Sequence, residues 1–443
     1  MKKYLGFLLV MVLLTAVPLA VSADVPAPGG PFDTAFRIQN LSTAAANCEF
    51  SFYDAGGVEK YSSGALTPIP VGESAYIYVP SDTTVADGQY AGVVTCDQQE
   101  IAAVVNYSDP NSGASYSGVT QPSSVLYAPG IYDNYYNYYS NIVVQNASSA
   151  AMDITVEIYA AGSSTPVKTQ TETSVAANGY ATFEQEGLPE LADDQFYSAK
   201  ISGAGGNVAA VVNIYGRGAA DNQLYSYGPF PGGSTLAYAP VIMNNYYGYN
   251  TALVIQNLGT SAANVTITYS DGTVKTKTIA PGAADSRYTP SDGVAAGVLL
   301  GAKVESTNSQ PIVVLVNEST NKNRAASYEG FAAGAKTVRA PIVMRRYYKF
   351  NTSVTCQNIG TAAATMTIAY GGIAGTNTSP SIVPGATHLF YQPADSLLTD
   401  NWIGSATVTS AQDIVCVVNE DMNEAPEVDQ VMDQLYAYDG IGQ

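Results

Sequence analysis

Residues 251–279 read TALVIQNLGTSAANVTITYSDGTVKTKTI, and their periodicity decides the fold class. Residues 251–256 and 264–269 alternate apolar and polar side chains with period two, the pattern of a strand with one face buried. Asp271-Gly272 supplies a tight turn, and residues 273–279 alternate again, which predicts a β-hairpin. Pro281-Gly282 turns the chain once more. Residues 298–304 follow, then 312–317, the latter apolar enough for a central strand. No segment carries a sustained apolar stripe of helical period.

Four landmarks in and around this stretch recur in order along the chain. A Gln-Asn pair closes an apolar strand at Gln39-Asn40, Gln145-Asn146, Gln256-Asn257 and Gln357-Asn358. A second strand ends in Val-Asn, placing Asn106, Asn213, Asn317 and Asn419 at corresponding positions. An aromatic-glycine strand comes next, at Tyr116, Tyr227, Tyr328 and Tyr438. Ahead of the first mark stands an Ala-Pro pair: Ala27-Pro28, Ala128-Pro129, Ala239-Pro240 and Ala340-Pro341. A period of about 100 residues is a whole domain and not a solenoid unit. The breaker-rich joints predict four β-sandwich repeats at 24–121, 122–232, 233–334 and 335–443, following a signal peptide at 1–23. That leader shows a basic start at Lys2-Lys3, an apolar run over 5–20 and small residues at Val21-Ser22-Ala23.

About seven strands per hundred residues, with turns every 8–12, suits an immunoglobulin-like sandwich. On the strand–Gln-Asn–loop–strand opening, the Pro-Gly turn and the late Val-Val-Asn strand, the chain resembles the tandem immunoglobulin-like repeats of bacterial secreted and cell-surface proteins. That resemblance implies an elongated all-β array serving scaffolding or adhesion.

Composition narrows the function. Lys plus Arg number 18 against 37 Asp plus Glu, a net charge of −19; without Lys2 and Lys3 the balance is 16 against 37, or −21. So acidic a chain repels phosphate backbones, which argues against nucleic acid as a partner. No apolar span follows the leader to act as a transmembrane anchor. Together with the leader this predicts an extracellular protein, secreted or held at the cell surface by contacts with itself, other surface proteins or glycans.

Cys48 and Cys96 lie in the first copy, Cys356 and Cys416 in the fourth. Even numbers within exported domains predict two intradomain disulfides. Closing loops of this length stabilises by about 4 kcal/mol each in the chain-entropy model. The recurring Asn40, Asn106, Asn146, Asn213, Asn257, Asn317, Asn358 and Asn419 are expected to cap strand ends through hydrogen bonds to nearby backbone.

Tyrosine is the compositional oddity, at 33 against 11 Phe and one Trp. Tyr132, Tyr135, Tyr136, Tyr138 and Tyr139 cluster in copy two, Tyr246, Tyr247 and Tyr249 in copy three, and Tyr347, Tyr348 and Phe350 in copy four. Ala-Pro to Gln-Asn spans 17 residues in those copies but 12 in copy one, which lacks the aromatic insert. An insert found only where a domain precedes it predicts packing of one domain on the next. The alternative is an aromatic platform for a sugar or a protein.

Catalysis finds no support: the single His388 has no nucleophile signature beside it, and no phosphate loop or metalloprotease motif occurs. No cofactor is expected. The acidic stretch beginning at Glu420, Asp421 and Glu424 is a weak calcium candidate without EF-hand spacing. The expectation is a non-catalytic structural protein of a surface layer, sheath, filament or stalk. An adhesin or carbohydrate binder using the tyrosine loops is the alternative.

Overall fold

The computed structural model describes residues 6–9, 30–220, 222–320, 324–422 and 433–443. Within the expected leader, Gly6–Leu9 forms a strand paired with Ala91–Cys96. The motif Val21-Ser22-Ala23, the Ala27-Pro28 pair and Glu424 lie outside the described residues.

Alternation builds an all-β protein of antiparallel sheets, and one strand order occurs four times. In copy two the eight strands are Val125–Tyr132, Tyr138–Asn146, Met152–Ala160, Lys168–Val175, Tyr180–Glu184, Phe196–Gly203, Val208–Gly216 and Leu224–Tyr227. One sheet orders them fourth-third-sixth-first, the other fifth-second-seventh-eighth. In copy four the sixth and seventh strands run together as Trp402–Asp421 and join the two sheets. The order departs from that of the immunoglobulin sandwich, which groups its strands as ABED and CFG; here the first strand pairs with the sixth, and the second with the fifth and seventh.

The copies assemble into two compact units. Unit 1 comprises Met1–Ile158 and Pro166–Pro231; unit 2 comprises Tyr159–Thr165 and Gly232–Gln443. Copies one and two fall in unit 1, apart from residues 159–165 and 232, and copies three and four fall in unit 2. In unit 1, Val143, Val211, Tyr215 and Leu224 of copy two belong to the same buried cluster as Phe36, Phe50 and Tyr107 of copy one. In unit 2, Val417, Leu435 and Ala437 of copy four join Leu253, Val314 and Val316 of copy three. The second copy of each unit thus buries both faces of its fifth-second-seventh-eighth sheet. In copy four, Val354, Cys356 and Val418 pack inward while Val417 and Leu435 pack on copy three. Burial on both faces explains seventh strands that are apolar almost throughout.

The landmarks have physical causes. Asn40, Asn146, Asn257 and Asn358 are buried and make the same three hydrogen bonds. In copy two, Asn146 Nδ2 donates to Ala150 O at 2.8 Å and Val175 O at 2.9 Å, while Oδ1 accepts from Ser148 N at 2.9 Å. The Ala-Pro pair sits where the first strand shifts register, between Ala239 and Ile242 in copy three and between Ala340 and Val343 in copy four. Such a bulge strands a backbone N–H and C=O. The landmark tyrosine satisfies both: Tyr328 Oη donates to Val241 O at 2.8 Å and accepts from Val241 N at 3.1 Å. Tyr227 does the same at Gly130, and Tyr438 at Ile342.

Candidate functional site

Each tyrosine insert folds as a two-residue hairpin between the first and second strands of its own copy. Tyr135 with Tyr138, Tyr246 with Tyr249, and Tyr347 with Phe350 exchange both backbone hydrogen bonds at 2.9–3.0 Å. The residues between them are left-handed: Tyr136 at φ 52° with Asn137, Tyr247 at φ 50° with Gly248, and Tyr348 at φ 47° with Lys349. Two consecutive positive φ angles define the type I′ turn, for which Asn-Gly is the favoured pair. A tyrosine at the first of them costs on the order of 1 kcal/mol.

That strain is not offset by burial of the ring. Tyr136, Tyr247 and Tyr348 are 69%, 86% and 77% exposed. Each stands edge-on against its predecessor, with ring centroids 4.7–4.8 Å apart in Tyr135–Tyr136, Tyr246–Tyr247 and Tyr347–Tyr348. The third aromatic turns inward: Tyr138 meets Tyr225 and Phe350 meets Tyr436, both on eighth strands of the same copy. Tyr132 is buried, Tyr139 packs against the cluster shared by copies one and two, and Tyr249 reaches copy four by donating to Asp421 Oδ2. The inserts therefore divide their work, burying one end and presenting one ring to solvent.

The contact between copies within a unit centres on the Val-Asn mark. In unit 1, Tyr107 Oη, one residue past the mark, donates to Asn213 Oδ1 at 2.8 Å, and Ser226 Oγ shares that acceptor at 2.7 Å. In unit 2 the residue one past the mark is Glu318, whose Oε2 accepts from Asn419 Nδ2 at 2.7 Å. Asn106 and Asn317 pair with Ser115 and Ser327 opposite them on the eighth strands. Beside Glu318, Arg324 and Asp421 form a buried ion pair at 2.6 Å, and Arg324 Nη2 also donates to Met422 O at 2.8 Å.

Around these groups lies a cavity of about 560 Å³ in unit 2. Tyr246, Tyr247 and Tyr249 contribute to its wall, with Met243, Leu299, Leu389, Tyr391 and Leu435. Burial, then the nearby Asp421 charge, push the Glu318 carboxyl up to about 8, although the Asn419 hydrogen bond opposes this. Glu318 is thus a neutral acid at pH 7. Burial likewise raises the Asp421 carboxyl, with Arg324 and Tyr249 pulling it back.

Sequence reasoning did not single out Glu318 or Arg324. At the position of Glu318 the other copies carry Tyr107, Ile214 and Glu420, so the repeat gives no signal that sets Glu318 apart. Arg324 comes from a loop without any repeat mark.

The cysteines form the bridges Cys48–Cys96 and Cys356–Cys416, each between directly paired residues of neighbouring strands in one sheet. The calcium reading does not fit the carboxylate of Asp421, which is engaged by Arg324 and Tyr249. Among the described residues no group of three His, Cys, Asp or Glu is placed to hold a metal, and no helix is long and apolar enough to cross a membrane. His388 lies against Phe390, and burial lowers its pKa.

No family model matches the chain, and no curated protein matches it. Among solved structures, the crystal structure of Thermotoga maritima 1070 is 22% identical over a match covering 22% of this chain and 94% of that one, with TM-score 0.20. An anti-sigma factor domain-containing protein is 9% identical, covering 63% of this chain and 94% of that one, with TM-score 0.13. Neither likeness is close enough to carry fold or function.

Proposed function

We propose that the protein is a non-catalytic structural component of an extracellular surface, in which antiparallel β-sandwich repeats form the scaffold and the tyrosine hairpins make the attachments. The observation that carries this reading is the exposed tyrosine at a left-handed turn position, present in three copies. A turn selected for stability alone would hold Asn or Gly there. Rigid tyrosines, with few rotatable bonds and a hydroxyl left in water, are economical contact residues for proteins and for sugar rings. Two disulfides, low charge density and few exposed basic sites suit a durable extracellular scaffold.

The test replaces all three tips, as Tyr136→Asn, Tyr247→Asn and Tyr348→Asn in one chain. Wild type and variant are compared by small-angle scattering over a concentration series and by co-sedimentation with insoluble polysaccharide. Loss of wild-type assembly or of polysaccharide binding in a variant that remains folded supports attachment through the tips. Assembly without glycan binding identifies a layer or filament component, and the reverse an adhesin. Identical behaviour of the two proteins in both assays rejects the reading.

A further inference from the structure

The cavity of unit 2 differs from the exposed tips in having a buried acid in its wall. Glu318 is 1% exposed; its Oε2 is held by Asn419, whereas its Oε1 has no hydrogen-bond partner. A buried carboxyl oxygen without a partner is a standing cost to the fold, and Glu318 stands in the wall of the cavity. The neighbouring cation cannot serve, because Arg324 is committed to Asp421 and to Met422 O. The rest of the wall joins tyrosine and aliphatic side chains to a polar strip of Asn351, Thr352, Ser353 and Thr355, with Thr320.

We propose that this cavity is a binding site for an organic ammonium ion, a primary amine carried on an apolar body, with Glu318 as its counter-charge. Three features select this class. Tyrosine faces attract cations, most strongly where water is excluded. Leu299, Leu389 and Met243 receive an apolar body. An anion would meet the Asp421 carboxylate and, above about pH 8, a second carboxylate at Glu318. Tyr247 lines the cavity and is largely exposed, so the site opens to solvent at the hairpin tip. The inference stands independently of attachment through the tips.

The chemistry has a proton consequence. The charged and titratable groups facing Glu318 are Asp421 and Arg324, paired with each other, Tyr249, bound to Asp421, and Tyr328 on the eighth strand of copy three. None of these gives Glu318 an available positive charge, and it stays protonated up to about pH 8. An arriving ammonium supplies that charge: Glu318 gives its proton to solvent, and the carboxylate forms an ion pair with the ligand. Below the carboxyl pKa, affinity therefore rises about tenfold per pH unit; near pH 8 it levels off.

The experiment is calorimetric titration of the full chain with phenethylammonium chloride between pH 6 and 9, with 2-phenylethanol as the neutral control. Repeating it in buffers of different ionisation enthalpy counts the protons released. The expected result is ammonium binding that strengthens with pH, release of one proton below pH 8, and no comparable binding of the alcohol. Glu318→Gln, which mimics the protonated acid, should lose at least tenfold in affinity and abolish proton release. Should that variant not fold, Tyr391→Ala at the cavity rim serves instead, with a several-fold loss. Equal binding of the alcohol, no binding of either probe at millimolar concentration, or unchanged affinity in folded Glu318→Gln would overturn the assignment.

Discussion

One residue past the Val-Asn mark, unit 1 carries Tyr107 and unit 2 carries Glu318; two residues past the mark, the second copies carry Tyr215 and Asp421. In both units the first of these reaches the same asparagine of the neighbouring copy, Asn213 or Asn419. Where unit 1 places rings, with Phe32 edge-on to Tyr107 at 5.2 Å, unit 2 places acids. The consequences follow from burial. A ring fills its space, contributes transfer free energy and needs one partner for its hydroxyl. An acid is smaller, must be neutralised by a proton or an arginine, and here leaves a cavity of about 560 Å³. A contact of the same architecture can therefore be a plug in one place and a receptor in another.

The comparison breaks most sharply if each contact is deprived of its central group. Tyr107→Ala removes a buried ring and leaves Asn213 short of a donor; the expected cost to unit 1 is about 3–5 kcal/mol. Arg324→Met leaves Asp421 buried without its cation, and unit 2 should lose a similar amount, about 3–5 kcal/mol. Differential scanning calorimetry checks both. Each substitution should lower one transition and leave the other in place, whereas a uniform shift would mean that the two contacts do not belong to separate cooperative bodies.

A smaller effect separates the contacts by pH. The Glu318 carboxyl titrates near 8 when folded, above its ordinary 4.5. Between these values the folded protein binds the extra proton, so stability falls as pH rises, by up to about 1.4 kcal/mol per unit. The stability is complete below 4.5 and has been lost above 8. Urea midpoints for unit 2 should thus drop between pH 5 and 9. Glu318→Gln should remove that part of the slope, while unit 1, with Tyr107 in the equivalent position, should show no such contribution. An unchanged slope in the variant would place the titration elsewhere.

Much of this architecture was legible in the sequence, but not the contacts within each unit. Period-two alternation in residues 251–279 gave the strands Tyr249–Asn257, Ala263–Tyr269 and Val274–Ile279 of an all-β fold. Strand pairing was not legible: whether the first strand joins the sixth is settled by faces meeting across long separations, for which residues 125–132 carry no local signal. Nor was the pairing of copies, because Val415, Val417 and Val418 are apolar in succession and do not say which face meets a neighbour. The tyrosine inserts were found by spacing, yet the assignment to domain packing missed the turn geometry that sends one ring in three outward. Glu318 was not marked by its repeat, since copy four carries Glu420 at the same position.

The hairpin tips provide the control for all of these effects, since units 1 and 2 carry the same turn. Tyr136 and Tyr247 have φ angles of 52° and 50° and similar edge-on partners. Asn tolerates the left-handed region better than Tyr, through local hydrogen bonding of its short side chain. Each Tyr→Asn replacement should therefore stabilise its own unit, by a few tenths up to about 1 kcal/mol, less whatever the edge-on ring pair contributes. Thermal denaturation of Tyr136→Asn and Tyr247→Asn should show small increases of similar size. A loss in both would show that the ring pair outweighs the backbone strain, making the tyrosines structural. A gain in unit 1 with a loss in unit 2 would be more instructive, because Tyr247 also lines the cavity. That outcome would tie the tip of unit 2 to the acid beneath it and extend the difference between the contacts to the surface.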